Sequence, residues 1–169
     1  MPPSGEHVAV VTGANQGLGY ALVETFCRVL GPDWVVYLTT RDPDRGQAAT
    51  AALRAAGHDP TFHPLDVTLP GSVLALAEML QSRHGGIDLV ISNAAARIDP
   101  ATPQAAQVRG FVDTNNHGTT RLMRALGPLL RDGRGISSWR ARSGPCAICR
   151  RRSTIASTSG PHLSPTWTP

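Results

Sequence analysis

The chain has 169 residues, 41% of them hydrophobic and 17% charged, with a formal charge of +4 at pH 7. That length suffices for one domain with a real core. No apolar run approaches membrane-span length, and Met1 to Val11 carries neither a basic n-region nor a long apolar h-region, so no secretory signal is expected and a cytoplasmic location is the default.

In chain order, residues 7–12 read as a short buried strand. Residues 17–30 follow as a helix, with Leu18, Leu22, Thr25/Phe26 and Val29 at helical spacing. Residues 34–40, rich in β-branched and aromatic types, read as a second strand. Asp42 caps the next helix, Pro43 takes its first position and Gly57 ends it. Phe62 to Leu65 is a third strand. Thr68 and Pro70 open a helix with Val73, Leu76 and Leu80 on one face, and Gly85-Gly86 terminates it. Ile87 to Ser92 is the fourth strand. A loop over 93–103 precedes a long helix, about 104–131, whose apolar face runs Val108, Phe111/Val112, Thr119, Leu122, Leu126 and Leu129; Asn115 lies on that face. Strands alternating with helices at this spacing predict right-handed βαβ units and a parallel, doubly wound α/β sheet.

The pattern collapses after Asp132. All twelve acidic residues lie at or before it together with ten arginines, whereas the other six arginines lie between Arg134 and Arg152 with no acid among them. Residues 133–169 also hold four prolines, two of the three cysteines and two of the three tryptophans, with no visible period. Two readings stand for this stretch: an irregular basic tail, or out-of-frame translation of a GC-rich message. The arginines lack aromatic interleaving, so nucleic acid is not the expected partner. Cys146-x-x-Cys149 lacks two further ligands at suitable spacing for zinc, and no metal site is expected; Cys27 reads as a small core residue.

The chemistry sits in Thr12-Gly13-Ala14-Asn15-Gln16-Gly17-Leu18-Gly19, between a strand and a helix. Gly13 allows a tight exit from the strand. Gly17 lets a diphosphate approach bare backbone at the helix N-terminus, where unpaired N–H groups and the helix dipole favour anions. Gly19 permits close helix–strand packing. Arg41, just past the second strand, can pair with a ribose 2′-phosphate, which the neutral Thr40 does not oppose; the alternative is a solvated surface charge.

The glycine loop resembles the cofactor loop of the short-chain dehydrogenases/reductases, which assigns Gly13, Asn15, Gln16, Gly17, Leu18 and Gly19 to cofactor binding. Leu65-Asp66-Val67-Thr68 is similar to that family's stretch after the third strand, where Asp66 would contact the adenine. Ser92-Asn93-Ala94-Ala95 is similar to its Asn-Asn-Ala-Gly segment, adding Asn93 and Ala94 to the cofactor set. Asp113 to Thr119 resembles the segment that supplies the active-site Asn, here Asn115; on the residues alone, Asn115 can equally be a buried amide bonding nearby backbone. Leu38-Thr39-Thr40-Arg41-Asp42 looks most like the carbonyl-reductase branch. Ser137-Ser138 resembles the fifth-strand ending, where Ser138 would help bind the reacting carbonyl; the alternative is a loop serine, because only Gly133 to Ile136 separates it from the long helix.

The resemblance implies a Rossmann-type fold over residues 1–132, incomplete at its C-terminal side, with 133–169 outside the family fold. It implies hydride transfer from a nicotinamide cofactor to a small-molecule carbonyl substrate, and Arg41 points to NADPH in preference to NADH. One departure opposes turnover. The family's Tyr-x-x-x-Lys is absent, since the chain has no lysine and its only tyrosines are Tyr20 and Tyr37. The competing reading is therefore a non-catalytic nucleotide-binding fragment or a frameshifted product. A sheet stopping near Asp132 would leave an exposed edge, with poor solubility or self-association as the expected consequence.

Overall fold

The computed structural model describes residues 6–138, with side-chain surroundings described as far as Arg131. Five parallel strands form one sheet in the order β3-β2-β1-β4-β5. The central strand β1 (His7–Thr12) is buried at every position after His7, as expected of a parallel strand covered on both faces. It is flanked by β2 (Trp34–Thr40) and β4 (Ile87–Ser92), and β3 (Thr61–Pro64) lies beyond β2.

Helices cover both faces. On one, α1 (Gly17–Val29) and α2 (Pro43–Ala55) bury Val23, Ala49 and Leu53 against Val11, Val36, Leu38 and Ile91. On the other, α3 (Pro70–His84) and α5 (Thr119–Leu126) bury Val73, Leu76, Leu80, Leu122 and Leu126 against Val8, Val10, Tyr37 and Val90. The helix punctuation is as the sequence indicates. The Asp42 carboxylate accepts from the Arg45 N–H at 3.1 Å with Pro43 next, and Gly57 (φ 86°) follows α2. Gly85 ends α3 in the left-handed conformation at φ 70°. Thr68 does not open α3 as expected: its N–H and hydroxyl both donate to Asp66 Oδ1, and the helix begins after Leu69.

The long helix expected over 104–131 is not one helix. It comprises α4 (Gln104–Val112), a π-helical segment (Asp113–Gly118), α5, and a 3-10 turn (Gly127–Leu129) that leads straight into β5 (Leu130–Ser138). Pro128 carries no N–H and cannot extend α5. There is thus room for a fifth strand where the sequence spacing suggested too little. β5 pairs with β4 from Ile87↔Leu130 to Ser92↔Ser138, with an irregular register between Ile87 and Leu89.

A polar knot fastens the start of β5 beneath the sheet. Arg131 donates to the Asp88 carboxylate at 2.7 Å, to the Glu6 carbonyl at 2.8 Å and to the His84 carbonyl at 2.7 Å. The His84 ring lies between the Glu6 carboxylate and the Tyr37 hydroxyl, the latter at 2.8 Å. Asp88 also accepts from the Val8 N–H at 2.8 Å.

Candidate nucleotide-binding site

The chain winds outward from β1 to β2 and β3, then returns to place β4 on the other side of β1. The strand order therefore reverses between β1 and β4. In open parallel sheets the crevice beyond the carboxyl ends of the strands at such a switch point is where ligands bind. The glycine loop leaves β1 at that point.

Each glycine answers a different steric demand. Gly13 (φ 62°) passes so close to the segment after β4 that an added Cβ would stand 2.7 Å from Ala94 Cα. At Gly19 a Cβ would meet Asn93 Nδ2 at 2.5 Å and the Gly13 carbonyl at 2.6 Å, so α1 packs directly on the loop. Gly17 is the contrary case: its φ is 59° and a Cβ would find nothing within 4 Å. Crowding explains Gly13 and Gly19, whereas Gly17 leaves exposed backbone at the first turn of α1, a geometry suited to a ligand oxygen. Gln16 and Leu18 flank it and are exposed, Leu18 at 45%.

Buried threonines hold the loop. Thr12 Oγ1 accepts from the N–H groups of Asn93 (3.0 Å) and Ala94 (2.9 Å). Asn93 reciprocates, its side-chain amide donating to the carbonyls of Thr12 (2.9 Å) and Gly13 (3.1 Å). The Ala14 N–H donates to the Thr39 carbonyl at 2.9 Å, and Thr40 Oγ1 donates to Asn15 Oδ1 at 3.1 Å. Asn15, Asn93 and Ala94 thus lock the cradle's shape from β2 and β4. The sequence reading gave Thr12, Thr39 and Thr40 no part in holding the loop, because a threonine at a strand end reads simply as a β-branched former. The one available signal was three polar side chains at the ends of two otherwise apolar strands.

Arg41 lies immediately beyond β2, exposed, with no ion pair or hydrogen bond from its side chain among the described residues. Asp42 beside it is engaged in capping α2. Asp66 follows β3, and one of its carboxylate oxygens accepts both bonds from Thr68. The π-helical segment brings Asn115 against the loop after β4: Oδ1 accepts from the Ala96 N–H at 2.8 Å and Nδ2 donates to the Ala96 carbonyl at 3.1 Å. The Asn115 carbonyl accepts from Thr119 Oγ1 at 3.1 Å, and Thr119 lies 3.4 Å from Ser92 Oγ. The Ser138 backbone ends β5 opposite Ser92; its side chain lies outside the described surroundings. The strand ends therefore bring Gly13 to Gly19, Asn93, Ala94, Asn115 and the Ser138 backbone to one edge of the sheet.

The two tyrosines lie elsewhere. Tyr37 is 1% exposed and bonded to His84; burial, the largest influence, pushes its hydroxyl pKa up. Tyr20 packs within α1 against the other core. Cys27 is a free thiol, partly buried in that same core, and burial pushes its pKa up. Among the described residues no group of three or more His, Cys, Asp or Glu side chains could hold a metal, and no helix is long and apolar enough to cross a membrane. Cys146 and Cys149 lie outside the described residues.

The family model for short chain dehydrogenase matches residues 7–137. Among curated proteins, the chain is 40% identical over 133 residues to carbonyl reductase (NADPH) 1 of Oryctolagus cuniculus, covering 78% of this chain and 47% of that protein. It is 42% identical over 130 residues to carbonyl reductase (NADPH) 1 of Homo sapiens, covering 76% and 46%. The chain thus spans about half the length of the curated relatives it matches. Among solved structures, a metagenomic short-chain oxidoreductase in complex with NADP is similar at TM-score 0.64 and 29% identity, over 73% of this chain and 56% of that one. Salutaridine reductase from Papaver somniferum shares the fold at TM-score 0.67 and 23% identity, over 79% and 56%. A five-stranded parallel sheet with its switch point beside a Gly-x-x-x-Gly-x-Gly loop agrees with these matches, and the chain belongs to the short-chain dehydrogenase family.

Proposed function

We propose that this chain binds NADP(H) in the crevice between the ends of β1 and β4, with the pyrophosphate against the backbone at Gly17. The observation that carries this reading is the open, left-handed Gly17, the one glycine of the three whose lack of a side chain no protein neighbour demands. Gly13, Asn15, Gln16, Leu18 and Gly19 shape the cradle, Asp66 and Arg41 hold the adenosine half, and Asn93 and Ala94 border the other half. Arg41 is free to meet a 2′-phosphate, which supports NADP over NAD. The names of the carbonyl reductase (NADPH) relatives point the same way.

The reaction class we infer is reduction of a small carbonyl compound, for which bound NADPH supplies the hydride. This chain's contribution is to orient and to exclude water. Asn115, held on Ala96, would order the substrate end of the crevice, and Ser138, whose backbone ends β5 beside Ser92, is the candidate for binding the carbonyl oxygen. Among the described residues neither tyrosine is placed to donate a proton in the crevice, because Tyr37 is buried in the core and Tyr20 packs from α1 against the other core, and the sequence contains no lysine. General acid catalysis contributes about 10²–10⁴-fold. We therefore expect binding with little turnover, and a nucleotide-binding fragment is the second reading. NADPH oxidation with a simple quinone or aldehyde separates the two. For the cofactor preference, Arg41→Asp should reverse the ratio of NADPH to NADH affinities; an unchanged ratio removes Arg41 from the phosphate site.

A further inference from the structure

Two side-chain amides, eight positions apart, grip the loop after β4 in the same way. Asn115 pairs with both backbone groups of Ala96. Gln107, on α4, does the same for Asp99: its Oε1 accepts from the Asp99 N–H at 2.7 Å and its Nε2 donates to the Asp99 carbonyl at 2.9 Å. Nε2 also donates to the Thr102 carbonyl at 2.6 Å. The Asp99 carboxylate tightens the same turn, accepting from the Ala101 N–H and the Thr102 hydroxyl, each at 3.0 Å. A loop outside the sheet has no ladder partner for its backbone, and a primary amide, carrying one acceptor and two donors, substitutes for one. The loop is anchored at its root as well, through Asn93, Ala94 and Thr12. Between the two clamps stand only Arg97 and Ile98, both exposed.

This loop occupies a particular place in the crevice. With the pyrophosphate at Gly17 and the adenosine toward β2 and β3, the second half of a dinucleotide must run toward β4 and β5, along this loop. We infer that Gln107 is a positioning residue: by clamping Asp99 and Thr102 it holds the Ala96–Thr102 segment as a preformed wall for the nicotinamide half of the ligand. The inference rests on the nucleotide reading above. Its energetic content is pre-organisation, since a loop already ordered costs nothing to order on binding.

The test compares two probes on the full chain: NADPH, and 2′,5′-ADP, which lacks the nicotinamide half. Gln107→Ala should weaken NADPH binding about tenfold and leave 2′,5′-ADP within about twofold. Trypsin should also cleave faster after Arg97, and nucleotide should slow that cut in the parent more than in the variant. Gln107→Glu keeps the shape and the acceptor but cannot make the two donations to carbonyls. It should show the same selective loss, and it carries the test if the alanine variant fails to fold. Equal weakening of both probes would overturn the inference, because that marks a general loss of structure. Unchanged affinity for both would overturn it also. A folded parent chain that binds neither probe would sink the nucleotide reading and this inference together, an outcome distinct from selective failure of the Gln107 effect.

Discussion

The hydroxyl of Thr12 accepts two amide hydrogens from the segment after β4, and the Asn93 amide returns two bonds to the Thr12 and Gly13 carbonyls. Four hydrogen bonds between positions some eighty residues apart fix the angle at which the glycine loop leaves the sheet. Replacing Thr12 with Val keeps the shape but leaves the Asn93 and Ala94 N–H groups without their acceptor, at a cost of about 1–3 kcal/mol. Thr12→Val should lower the thermal midpoint and weaken NADPH binding, and Thr12→Ser should restore both. Equal stability of the parent and the Val variant in a denaturant titration would contradict this role. The glycine motif was legible because its residue types and spacing are local. The threonine latch was not, because nothing in a strand-ending Thr announces a partner on another strand.

At the scale of elements, the first four strands and three helices were legible nearly to the residue, since each has an uninterrupted period and a local stop signal. The segment after residue 103 was not. Its apolar positions fit one long helix, but six residues wind as a π-helix. That extra width turns Asn115 onto Ala96 while Leu122 and Leu126 still reach the core. Asp113 marks the same segment: it accepts from Arg121 at 2.8 Å, and Arg121 in turn reaches the Val67 carbonyl at 3.4 Å. The hydrogen bond from Arg121, with its charge and that of nearby His117, holds the Asp113 carboxyl below the usual carboxylate range. A depressed folded-state pKa means the contribution to stability is complete above the ordinary Asp range and is lost as pH falls through the folded value. In a titration followed by NMR, Arg121→Gln should move the Asp113 midpoint upward. An unmoved midpoint would show that the arginine does not govern this carboxyl.

For the whole molecule, β5 was the element least visible in sequence, and the reason is physical. Its residues include Asp132, Gly133, Arg134 and Gly135, which carry no strand period, and what docks its start is Arg131 reaching Asp88 on β4, His84 at the end of α3 and Glu6 just before β1. Beyond β5 the sheet has no further strand among the described residues. Helix α4 buries no residue, and Val108 on it is 50% exposed. A parallel edge and a helix face that no described residue covers both favour association between copies. We expect sedimentation of the full chain to show a concentration-dependent dimer or larger species. A sharply monomeric species over a wide concentration range would contradict this.

The proposed pyrophosphate site is the backbone at Gly17, so the decisive measurement is a calorimetric titration of the folded chain with NADPH, run beside the Gly17→Ala variant. The parent should bind saturably. The variant should bind much more weakly, because its methyl group enters the space left open for the ligand and its backbone bears about 1–2 kcal/mol of left-handed strain. A parent chain that remains folded by circular dichroism yet takes up no NADPH, or a Gly17→Ala variant that binds as well as the parent, would contradict it.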